Sequence, residues 1–130
     1  MNELFVPYEE SLQLKELGFD KPCFGLWFAE NKQFVQQILN DTRPYNKDLF
    51  ILAPTLLQVF KFFRDKYGLH HEVSFDSWNK ETYSFSINQK KNKEFHYDDM
   101  TEYQSYEEAE LACLRKLIKI VKNENNRHTL

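Results

Sequence analysis

His70 and His71 are adjacent, and His96 follows with Asp98, Asp99 and Glu102 close behind it, so imidazole and carboxylate ligands for a divalent metal ion can be drawn from this part of the chain. The spacing argues against the drawing. Neighbouring residues of a strand face opposite sides, so at most one of His70 and His71 can join His96, and no HExxH pattern supports a metal helix. Ordinary polar or half-buried histidines are the expected reading, with no metal ligands. There is no GxSxG and no Ser, His and Cys set in a hydrolase context, so no catalytic residue is assigned and an enzyme is disfavoured. Gly18, Gly25 and Gly68 are isolated, which leaves no phosphate-cradling loop and no dinucleotide fingerprint; the expectation is no cofactor. Cys23 and Cys113 form neither a CxxC nor a Cys/His spacing and read as buried free thiols.

Binding chemistry has more to work with. Lys90, Lys91 and Lys93 lie on a turn where they could meet phosphate, and Trp78 and Tyr83 could stack bases; a solvated, aggregation-resistant edge is the plainer reading of three lysines there. Glu107 and Glu110, with Glu108 between them, offer an acidic surface for a basic partner or a mimic of nucleic acid, beside their ordinary role at a helix N-terminus. Most of the 12 Phe must be core, but Phe62 falls off the Phe60/Phe63 face and Trp78 sits in a polar turn. Phe62, Trp78, Glu107 and Glu110 are therefore the candidate partner-binding residues.

These side chains need elements to hold them. Tyr8 to Leu17 reads as a short amphipathic helix after Pro7, ended by Gly18 in a left-handed C-terminal turn with Phe19 beyond it. Cys23 to Phe28 is an aromatic strand, and residues 33–39 fit either a helix or a second strand after the turn at Asn31-Lys32. Asn40 to Asp48 is the most polar stretch of the middle and is expected to be a flexible surface loop. Pro54 opens a helix in which Leu56, Val59, Phe60, Phe63 and Tyr67 recur at helical spacing up to Gly68. Val73 and Phe75, then Tyr83, Phe85 and Ile87, alternate with polar residues around Asp76 to Lys80, an antiparallel hairpin followed by a third strand at Glu94 to Tyr97. Ser105 to Glu108 is a capping box opening the last helix, in which Ala109, Ala112 and Cys113 put small side chains on the face meant for the sheet. Asn123 to Leu130 loses the pattern and is expected to fray.

The chain has 130 residues, 42% of them hydrophobic, and few Gly or Pro, which excludes disordered and fibrous classes and allows one domain with a core of its own. Its 17 basic and 20 acidic residues leave a net charge of -3, no general attraction for phosphate backbones or anionic lipid. No signal peptide and no membrane-spanning run is visible, so a cytoplasmic protein is expected.

Ala53 to Phe60, Phe62 to His70, Ser105 to Leu114 and Leu117-Ile118, with Val6 to Glu9 and Leu14 to Phe19, resemble a group of small proteins from bacteriophages and gut Bacteroides-type genomes for which no activity is implied. The order helix, three strands, helix from about 54 to 122 is similar to that of double-stranded-RNA-binding domains, and Ser105-x-x-Glu108-Ala109-x-x-Ala112 is similar to the start of their last helix. That resemblance implies lysines at the helix start, where this chain has Tyr106, Glu107, Glu108 and Glu110.

The expected architecture is α+β: an antiparallel sheet of three to five strands packed by helices in residues 1–122, with an α-β-β-β-α arrangement from about 54 to 122 and a flexible tail over 123–130. The expected function is that of a small non-enzymatic phage or mobile-element accessory protein acting through protein contacts or self-association. A nucleic-acid-binding module using Lys90, Lys91 and Lys93 is the alternative, disfavoured by charge.

Overall fold

The computed structural model describes residues 4–36, 48–78, 80–89 and 96–128. The protein is α+β, with three helices and two three-stranded antiparallel sheets among the described residues. The chain divides into two compact units, Met1–Val59 and Phe60–Leu130. No helix among the described residues is long and apolar enough to cross a membrane.

In the first unit α1 (Tyr8–Glu16) follows Pro7, whose carbonyl accepts the Ser11 N–H at 2.8 Å. The helix ends as its sequence requires. Gly18 takes φ 89°, the Phe19 N–H reaches the Leu14 carbonyl and the Gly18 N–H reaches that of Lys15, both at 3.0 Å, which together make a Schellman turn. The sheet has the order β2-β1-β3, with β1 (Gly25–Phe28) between β2 (Phe34–Gln36) and β3 (Phe50–Ala53), and α1 packs on β3. The ambiguous segment after Lys32 is thus a strand over Phe34–Gln36, while residues 37–39 and residues 40–47, where a loop is expected from sequence, lie outside the described residues. Trp27 on β1 donates its indole N–H to the Val6 carbonyl at 3.0 Å, and the Ser11 hydroxyl donates to the same oxygen at 3.1 Å. Gly25 is needed for space: a Cβ there would stand 2.6 Å from the Phe34 ring, which packs against Phe5 with centroids 4.8 Å apart.

Pro54 does not open the second helix. α2 (Leu56–Tyr67) starts two residues later, capped by Thr55, whose hydroxyl accepts the Gln58 N–H at 3.2 Å while the Gln58 side-chain oxygen accepts the Thr55 N–H at 3.0 Å. Thr55-x-x-Gln58 is a capping box that apolar periodicity passed over.

In the second unit β4 (Leu69–Asp76), β5 (Thr82–Gln89) and β6 (His96–Tyr103) form a sheet in sequence order, and α3 (Tyr106–His128) packs across all three strands, most extensively on β5. The arrangement from α2 to α3 is helix, three strands, helix. The hairpin pairs as its alternation demands, Val73 with Phe85 and Phe75 with Tyr83, and Phe85 and Ile87 are buried on the face that carries α3. Between β5 and β6 the ladder breaks into a bulge in which Ser84 lies opposite Met100, Thr101 and Glu102. Asp99 organises it: one carboxylate oxygen accepts the Thr101 N–H and the other the Tyr103 hydroxyl, each at 2.8 Å. Burial pushes the Asp99 carboxyl up, but the Thr101 backbone and hydroxyl, Tyr103 and Lys116 outweigh it and hold it below its ordinary value.

At the start of α3 the Ser105 hydroxyl accepts the Glu108 N–H at 3.1 Å, but the Glu108 carboxylate takes the Gln104 N–H at 3.3 Å in place of that of Ser105. Ser105→Ala is expected to cost about 0.5–2 kcal/mol of stability in urea unfolding, the usual loss for a hydroxyl cap. On the packed face Ala109, Cys113, Leu114, Leu117 and Val121 have no exposed surface, whereas Ala112 is only half-buried. The close-approach positions are therefore Ala109 and Cys113, with Ala112 on the flank. The helix also runs to His128 where fraying from Asn123 was expected. Asn123, Asn125 and Asn126 are weak helix formers, but with Glu124 among them and no Gly or Pro they extend a helix already nucleated by packing at small cost.

Candidate functional site

The second unit's sheet separates its histidines. Register puts His70, Asn88 and His96 on one face, and His71 with Val73 and Phe75 on the other. His96 bonds through Nδ1 to the Asn88 side-chain oxygen and through Nε2 to Asp98 at 2.8 Å, so its partners belong to a polar, solvent-facing ladder. His70 lies two strands away from it. Among the described residues no group of three or more His, Cys, Asp and Glu is placed to hold a metal ion.

His71 stacks on Phe60, ring centroids 3.6 Å apart and planes within 10°. Burial, then the Arg64 and His70 charges, lower its pKa from 6.5 to about 4. The unfolded chain therefore binds a proton that the folded one refuses, so stability is fully present above pH 6.5 and is lost as the pH falls from there toward 4. With the ring partly open to solvent, the loss should be about 1 kcal/mol. His71→Phe should remove that slope from urea midpoints measured across this range, and an unchanged slope would place its origin elsewhere.

Cys23 and Cys113 are both buried, and burial pushes each thiol up to about 12. Labelling of the native protein by a thiol reagent should be slow and should become rapid only on unfolding; stoichiometric labelling within the mixing time would contradict their burial.

The feature that stands out is at the end of the second sheet where the hairpin turns. The face covered by α3 continues past the first turn of that helix. Along β4 it runs from buried Leu69 through half-buried His71 and Val73 to Phe75, which is 51% exposed. Phase alone would make Phe75 core. It is open where α3 begins, at Tyr106, itself 43% exposed. The rings form a chain: Phe75 lies 5.0 Å from Tyr83, and Tyr83 lies edge-on 5.9 Å from Tyr106. Trp78 crowns the adjoining turn at 89% exposure, its backbone N–H donated to Asp76 Oδ1 at 3.0 Å. Met100, 85% exposed, sits in the bulge at the same end. Burying such rings stabilises an interface by roughly 1.5–3 kcal/mol each, and clustered exposure of this kind marks interaction surfaces.

Carboxylates lie at the same end of the sheet, Asp76 on the face opposite Phe75. Asp76 ends β4, Glu102 lies at the end of β6, and Glu107 and Glu110 follow Tyr106 on α3. Lys80 is spent on Glu102 at 2.8 Å. Burial, then Glu107, raise the Glu110 carboxyl above its ordinary value.

Of the candidates read from sequence, Trp78, Glu107 and Glu110 come together at this end. Phe62 does not join them. It is only 8% exposed, with its ring edge-on to Phe63 and Tyr67 and the Lys66 ammonium 5.5 Å above it. The buried arc of α2 is wide enough to take in both Phe60 and Phe62, which a narrow stripe through Phe60 and Phe63 excludes. Phe75, Met100 and Tyr106 were passed over as site residues; the signal for Phe75 was its place on the last turn-proximal step of an alternating strand. Lys90, Lys91 and Lys93 lie outside the described residues. No protein-family model, curated protein or solved structure matches the chain.

Proposed function

We propose that the protein is a non-enzymatic binding protein whose interaction surface is the open aromatic end of the β4-β5-β6 sheet, with an accessory role in a phage or mobile element as the biological setting. The observation that carries this reading is the exposure of Trp78 at 89%, on the turn next to Phe75 and at the same end of the sheet as Tyr106, so that three large rings are left open to water. Trp and Tyr are among the side chains that dominate binding energy at protein interfaces. Glu107, Glu108 and Glu110 at the helix start oppose a phosphate backbone, which argues for a protein partner over nucleic acid.

The test is quantitative affinity capture from the native host with the wild type, Trp78→Ala and, as a control for a solvent-facing leucine elsewhere, Leu57→Ala. A partner that is retained by wild type and Leu57→Ala but lost by Trp78→Ala supports the reading. A partner that Trp78→Ala retains in full overturns it.

A further inference from the structure

The open end of the second sheet is apolar in its rings and anionic around them. Glu107 and Glu110 follow Tyr106 on α3, Asp76 accepts the backbone N–H of Trp78 at 3.0 Å, and Lys80 is already engaged by Glu102 at 2.8 Å. Glu107 and Glu110 stand three residues apart on one helix, within reach of each other's charge, and no ion pair among the described residues neutralises either of them. A purely apolar partner would bury these carboxylates uncompensated, which is costly, and a phosphate would be repelled. A cation satisfies both parts of the surface: it is attracted by the carboxylates and held over a ring face, best by Trp.

We infer that the partner presents arginine side chains to this surface, guanidinium planes stacked on Trp78 and Phe75 and their N–H groups directed at Glu107 and Glu110. This rests on the reading of the patch as a protein-binding surface. Arginine is favoured over lysine because its planar, weakly hydrated head both stacks and makes paired hydrogen bonds to a carboxylate.

The probes are three fluorescein-labelled peptides of one length in which glycine alternates with arginine, lysine or glutamate, titrated by anisotropy into the full chain. The arginine peptide should bind at least about threefold tighter than the lysine peptide, with the glutamate peptide not binding. Raising salt from about 20 to about 150 mM should weaken the arginine complex severalfold. Trp78→Ala should weaken it about tenfold, and so should the pair Glu107→Gln and Glu110→Gln. The pair Glu72→Gln and Asp98→Asn, on the opposite face of the same sheet, should leave it unchanged. Equal weakening by that control pair, or equal affinity for the arginine and lysine peptides, overturns the inference. So does a captured host protein that depends on Trp78 but ignores salt and the Glu107/Glu110 pair; the patch would then stand as an interface with a partner of different chemistry. Capture that survives Trp78→Ala removes the reading of the patch and the inference with it.

Discussion

Phe85→Ala is expected to remove about 3–5 kcal/mol from the stability of the protein. Phe85 is 3% exposed at the centre of β5, the middle strand of its sheet, with the rings of Tyr97 and Tyr103 about it at 6.0 and 6.1 Å. Truncation deletes most of a buried ring and leaves a cavity that a sheet pinned by an antiparallel ladder on both sides cannot close. A loss of this size is a large share of the roughly 5–15 kcal/mol that holds a domain folded. Urea unfolding should therefore show a much lower midpoint, and an unchanged midpoint would mean that α3 does not pack on this face.

Trp78→Ala has the opposite profile. With 89% of the residue in water, truncation should change stability by no more than about 0.5 kcal/mol. Affinity for the protein's partner should fall by about 30-fold or more, the roughly 2 kcal/mol of an interfacial hot spot. Phe75→Ala should act in the same direction and more weakly, because half of its surface is already covered by its neighbours. A variant that lost both stability and binding would make Trp78 a structural residue.

The contrast between these two residues follows lines already present in the sequence. Alternation from Val73 to Ile87 placed Phe85 inside, and the polar turn around Trp78 placed that ring outside. Gly18 and Ser105 announced their helix ends. Other features were hidden for physical reasons. β3 is a short unbroken apolar run, Phe50 to Ala53, with three of its four residues buried, so neither the strand period nor the helix period shows in it. The bulge at Met100 to Glu102 depends on Asp99 hydrogen-bonding to Thr101 and Tyr103, a tertiary arrangement that no periodicity encodes. Phe62 was misplaced because helix phase gives direction but not the width of the surface that covers it. Phe75 was misplaced the other way: its phase points to the core, but the core ends where α3 starts. Membership of the site thus depends on where a helix begins relative to a strand, a matter of a few residues that separates a core ring from an exposed one.

The claim that the open end of the sheet is the binding surface is tested most directly by hydrogen-deuterium exchange of the full chain with and without the partner purified through it. Added protection confined to residues 75–84 and 100–110, absent with Trp78→Ala, is the result predicted here. Protection lying instead on the polar face that carries His70 and His96, or within Met1–Val59, would contradict it.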